Sequence, residues 1–139
     1  MPAPPAPPGR TITLLGTEVA NARPEAQPRP ANTPHGDQLG DQRVFTDDLV
    51  DENEQPVGQH SGVCTLVRVG PGNERTYQCL ATFTLPEGQI TARGLIRFPI
   101  SGDITVAIGG GIGAYLRARG EITLTFPAAN RTRFAVRLA

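Results

Sequence analysis

Hydrophobic and polar positions alternate along most of this chain. The clearest runs lie near its C-terminus. Ile122, Leu124 and Phe126 point one way, and Glu121, Thr123 and Thr125 the other; Thr132, Phe134, Val136 and Leu138 alternate with Arg131, Arg133, Ala135 and Arg137. A period of two marks a strand with one buried face. The pattern predicts strands over 11–19, 41–50, 57–69, 75–85, 89–98, 103–108, 114–126 and 131–138. No window carries a capped 3.6-residue period. Most predicted strands are joined by short turns rich in glycine and proline, such as Gly70-Pro71-Gly72-Asn73 and Pro86-Glu87-Gly88, so sequence neighbours should pair antiparallel. Eight short-linked strands point to an all-β fold, an eight-stranded antiparallel β-barrel or a sandwich. Closure into a barrel removes exposed edges and leaves an interior sized for one small ligand.

Composition changes this picture at the N-terminal end. Of 14 prolines in the 139 residues, nine precede residue 35. Residues 1–10 read as a proline-rich disordered tail and 21–36 as an extended proline-rich loop. Residues 11–139 are then one barrel domain, its first strand set apart by that loop. The loop could lie across the barrel mouth as a lid. Formal net charge is zero, which supplies no electrostatic reason for a nucleic-acid or anionic-membrane partner. No apolar run reaches the length of a membrane span or a secretory leader, so a cytoplasmic location is expected. All 13 basic residues are arginine. Without lysine there is no Schiff-base, pyridoxal-phosphate or P-loop lysine chemistry.

Candidate chemistry is sparse. Cys64 and Cys79 stand at nearly equal distances from the turn at 70–74, so they should sit nearly opposite each other across a hairpin. Three readings remain: two small packed side chains, a pair of thiols lining a cavity, or a disulfide, which a reducing cytosol disfavours. Asp47 shares strand parity with Phe45 and Leu49. If those face inward, its carboxyl lies among apolar groups, which raises its pKa and equips it to donate a proton. Alternatively it sits at the solvated rim or fixes the turn at 51–53. Glu18 shares parity with Ile12, Leu14 and Gly16 and could face inward or end its strand in water. His60 has the parity of Cys64, and His35 lies in the proline-rich loop. No His/Cys cluster has metal-ligand spacing. Gly109-Gly110-Gly111-Ile112-Gly113 lacks the lysine of a P-loop and the G-x-G-x-x-G pattern, and reads as a barrel bend or bulge.

Two stretches carry a family resemblance. VFTDDLVDENEQPVGQHSGVC, 44–64, resembles the allene oxide cyclase barrel family, whose plant members show an F-T-x-x-L strand followed by G-x-x-x-G-[LV]-C. AIGGGIGAYLRARGEITL, 107–124, resembles that family and the dirigent proteins. The resemblance implies an eight-stranded barrel with a ligand-holding lumen and no cofactor. It implies a cyclase or isomerase that folds a flexible, small apolar organic substrate of polyketide or fatty-acid type into one reactive shape, in specialised metabolism. The alternative is a dirigent-like or carrier barrel with no chemistry of its own. A homo-oligomer, dimer or trimer, is expected. Carried over by motif, Cys64 matches a pocket cysteine, Asp47 a pocket asparagine and Glu18 a first-strand glutamate, giving three candidate catalytic residues. Phe45, Cys79, Ile96, Val106, Ile122 and Leu124 should line the lumen and contact substrate. Aspartate for asparagine at 47, and isoleucine for tyrosine at 96, point away from the plant substrate. The arginine-only composition points to a bacterial member.

Overall fold

The computed structural model describes residues 9–26 and 37–139. Eight strands follow one another: β1 Thr11–Ala22, β2 Gln42–Val50, β3 Pro56–Val69, β4 Arg75–Leu85, β5 Gly88–Phe98, β6 Ile104–Gly113, β7 Gly120–Ala128 and β8 Arg131–Leu138. Each pairs antiparallel with the next, and β1 closes on β8, so the sheet is a complete barrel in chain order. Closure satisfies both backbone edges of every strand. Proline follows the same logic: Pro56 opens β3, and Pro127 falls where the β7–β8 register shifts between Thr125 and Ala128, positions that need no ladder N–H.

Several boundaries differ from those the sequence predicts. β1 runs three residues further, through a register shift between Glu18 and Ala20. Gly9 and Arg10, expected in the tail, instead exchange backbone hydrogen bonds with Leu138. The glycine tract is not the bend between two strands. It continues β6, with Gly109 as the extra residue of a bulge opposite Thr91 and Ala92. The chain turns later, over 114–117, where a strand was expected. Gly113 makes that exit possible: its φ is +67°, and a Cβ there would lie 2.6 Å from the Glu87 carbonyl oxygen. The expected tail over 1–8, and the centre of the proline-rich loop with His35, lie outside the described residues.

Inward-facing side chains fill the two halves of the barrel differently. Toward the end formed by the start of β1 and the end of β8, Leu14, Leu49, Leu85, Ile90, Ile108, Ile122, Val136 and Leu138 are buried together with Phe83 and Phe134. Tyr115 of the 114–117 turn folds in under them, and its hydroxyl donates to Glu87 at 3.3 Å. This half is a solid plug. Toward the opposite end, Leu66, Tyr77 and Cys79 form a smaller buried cluster with Ile96 and Phe98 on one side, and the lumen beside it stays open.

Candidate functional site

The open half holds a cavity of about 370 Å³, within the range of small-molecule sites. Its walls include Phe45, Ile96, Phe98, Leu124 and Phe134. A narrower recess continues inward past Val106 and Ala81 to Phe83. Among largely apolar walls, the polar side chains are the informative ones.

Register places them. Glu18, Asp47 and His60 form one row across β1, β2 and β3, and Phe83 continues that row onto β4. Asp47 Oδ2 lies 2.8 Å from His60 Nδ1. His60 is 7% exposed and belongs to no polar surface. Its ring stacks on Phe83 with centroids 4.3 Å apart and meets Phe134 edge-on at 4.8 Å and Phe45 at 5.2 Å. Three aromatic rings therefore fix the plane of the imidazole, while Asp47 fixes its tautomer by accepting the Nδ1 proton. His60 Nε2 makes no hydrogen bond among the described residues. It is the basic atom available to a molecule in the cavity.

Glycines make room for this arrangement. A Cβ on Gly16 would lie 2.8 Å from the Phe134 ring and 3.4 Å from the Asp47 side chain. A Cβ on Gly62 would lie 2.6 Å from the Leu80 carbonyl oxygen and 2.9 Å from the Phe45 ring. Gly62 is the second glycine of the G-x-x-x-G-V-C motif, so part of that motif is explained by the close approach of Phe45 and β4.

The structure brings most of the sequence-derived residues together. Phe45, Asp47, Cys64, Cys79, Ile96, Leu124 and Glu18 line the cavity, and Val106 lines the recess. Glu18 is exposed, at the water-facing end of its row. Three readings need correction. Ile122 does not line the cavity; it is fully buried in the plug, because its position on β7 falls on the closed side of the row. Asp47 is not a carboxyl alone among apolar groups; it has the His60 imidazole as partner. Cys64 is not a free nucleophile: it is disulfide-bonded to Cys79, its direct partner in the β3–β4 register. Direct opposition across an antiparallel pair brings the two Cα atoms to 4.0 Å, and the register decided what a compartment argument had disfavoured.

His60 was missed as a site residue. The signal was present: the hairpin rule that pairs Cys64 with Cys79 also pairs Asp47 with His60 across the 51–55 turn. Arg43 was missed as well. It faces inward on β2, lines the cavity, and sets its guanidinium 4.8 Å from the Tyr77 ring centre and 5.2 Å from that of Phe98. Among the described residues, no group of three or more His, Cys, Asp or Glu side chains could hold a metal ion, and no helix is long and apolar enough to cross a membrane.

Known proteins resemble the whole barrel. Pyocyanin demethylase is 28% identical, with a TM-score of 0.78, and the match covers 94% of this chain and 100% of that one. The exo-specific intermolecular Diels–Alderase AbnU superposes with a TM-score of 0.72 at 15% identity, covering 93% of this chain and 96% of AbnU. The pterocarpan synthase dirigent protein PsPTS1 does so at 0.67 and 15% identity, covering 93% of each chain. The last two show a shared fold. No match to a curated protein sequence is found. The family described as allene oxide cyclase barrel like domain matches residues 17–138. The chain belongs to that family.

Proposed function

We propose that the open half of the barrel is a reaction chamber for a small, largely apolar organic molecule, and that the protein is a cofactor-independent cyclase or isomerase. One observation carries this reading. A hydrogen-bonded Asp47–His60 pair, with Nε2 unbonded among the described residues, sits in a cavity whose other inner walls are mostly apolar. An imidazole oriented by a carboxylate is suited to general acid–base work. Nε2 removes a proton from the substrate, the Asp47 carboxylate stabilises the resulting imidazolium, and the same nitrogen returns the proton to another substrate atom. Such a transfer is redox-neutral and consumes no co-reactant. The aromatic and aliphatic walls exclude water and restrict the conformers of the substrate. The outward Leu80 and Leu95, each more than half exposed on adjoining strands, support a homo-oligomer as part of the reading.

The experiment uses 5-nitrobenzisoxazole, a compact apolar aromatic compound that opens when a base removes its ring proton. The chain should open it faster than free imidazole in the same buffer. His60→Gln should cut the rate by about 100-fold, and Asp47→Asn should also lower it. Opening no faster than in buffer, or at an unchanged rate in His60→Gln, would overturn the reading. Binding without opening would leave a carrier or dirigent-like barrel.

A second reading concerns substrate shape. The full-length likeness to pyocyanin demethylase and the ring cluster of Phe45, His60, Phe83 and Phe134 both favour a planar heteroaromatic substrate over a flexible chain. Competition between a phenazine and a polyene acid for the chamber distinguishes the two.

A further inference from the structure

We infer that Arg43 forms an anion-binding subsite at the chamber mouth, so that the substrate is an amphipathic acid: an apolar body carrying one carboxylate or similar oxyanion. The inference rests on the chamber reading above and narrows the substrate class.

Four observations carry it. First, Arg43 faces inward on β2, with the parity of Phe45 and Asp47, and lines the same cavity as the Asp47–His60 pair. Second, its guanidinium is held by ring faces, 4.8 Å from the centre of Tyr77 and 5.2 Å from that of Phe98. Contact through faces fixes the cation while leaving its N–H edges unused. Third, Arg43 makes no hydrogen bond or ion pair among the described residues. A half-buried guanidinium with unused donors gains most from an oxyanion, which accepts two parallel N–H bonds. Fourth, the neighbouring charges are largely committed. Arg131 is bonded to both oxygens of Glu54, Asp37 to Arg75, and Asp41 to the backbone N–H groups of Ala26 and Gln38. Glu18, opposite Asp47 on β1, repels an anion at that end of the cavity and so favours the Arg43 end.

The geometry also sets a length. Arg43 and His60-bound Asp47 are four residues apart on one strand, about 13 Å between backbone positions. The acid group should therefore sit at one end of the molecule and the atom that exchanges a proton near the other.

The test is fluorescence titration with 11-(dansylamino)undecanoic acid and with its methyl ester, which differ at the acid end alone. The acid should bind at least about 10-fold more tightly than the ester. In Arg43→Met that preference should vanish while the ester binds as before, which also shows that the variant folds. Arg43→Lys should keep part of the preference, and Arg23→Met, at another cation of the mouth, should keep all of it. Equal binding of acid and ester to the unaltered chain would overturn the inference and leave the chamber reading standing. So would a preference that survives Arg43→Met or is lost in Arg23→Met. If neither probe binds, the inference is overturned, and the chamber reading is judged separately by the opening of 5-nitrobenzisoxazole.

Discussion

The two halves of this barrel are built from the same alternating strands, yet one is solid and the other hollow. The difference lies in which residues occupy the inward positions. In the plug, each strand contributes a Leu, Ile, Val or Phe, and a tyrosine from the 114–117 turn closes the end. In the chamber, the buried inward residues are confined to a small cluster of Leu66, Tyr77 and Cys79 on one side, and the small Ala81 and Gly94 face the recess. The row Glu18–Asp47–His60–Phe83 lies at the boundary between the halves. A buried polar pair there costs desolvation that the plug must offset. One half therefore supplies stability, and the other spends some of it on a preorganised site.

This comparison predicts that equal truncations have unequal effects. Ile90→Ala empties a plug position with 0% exposure and should cost roughly 2–5 kcal/mol. Thermal denaturation should show it as a fall in Tm of about 4 °C for each kcal/mol. Ile96→Ala, in the chamber wall, should cost less than about 2 kcal/mol and alter ligand affinity instead. Similar losses from both would erase the distinction between the halves.

The disulfide should come next in size. Cys64 and Cys79 are 15 residues apart, and cross-linking a loop of that length stabilises by about 3 kcal/mol through the unfolded chain. Replacing both with serine should lower the denaturant midpoint accordingly. An unchanged midpoint would mean that the bond contributes nothing beyond packing.

Gly16→Ala presses a methyl group against Phe134, whose ring is 1% exposed and held beside His60 and Phe83. Overpacking of this kind should cost about 1–3 kcal/mol. Because Phe134 is shared, the change should also weaken binding in the chamber. A neutral effect on both would show that the boundary is softer than described.

The smallest effect concerns Tyr115 at the closed end. Burial pushes its phenol pKa above the ordinary value, with the Glu87 carboxylate adding to the rise. The folded chain therefore keeps the phenol neutral where the unfolded chain ionises it. The associated stability is intact below the ordinary tyrosine pKa near 10 and is lost as pH rises through the higher folded value. Tyr115→Phe should flatten that part of the alkaline stability curve. An identical curve would remove Tyr115 as its source.

Much of this was readable in the sequence, for physical reasons. Alternation in β7 and β8 follows directly from one-sided burial, and tight turns dictate antiparallel neighbours. Parity put Phe45 and Asp47 on one face, and the family resemblance made that face the inner one. What parity cannot report is depth along the barrel axis. Ile122 and Leu124 share a face, but one is in the plug and the other in the chamber wall. The stagger of strands around a closed barrel sets that depth. The tract Gly109–Gly113 left a bend or a bulge open; the bulge forms, absorbing the extra residue within β6, and the turn between strands comes after it, over 114–117. His60 went unrecognised because an isolated histidine on an apolar face is ambiguous until register gives it a partner.

The most direct test of the central claim is nuclear magnetic resonance of the His60 ring nitrogens, with and without 5-nitrobenzotriazole, an unreactive mimic of the elimination probe. A proton should reside on Nδ1, held by Asp47, and the Nε2 resonance should shift when the mimic enters the chamber. A proton resident on Nε2 with Nδ1 bare, or an Nε2 signal indifferent to the mimic, would contradict that claim.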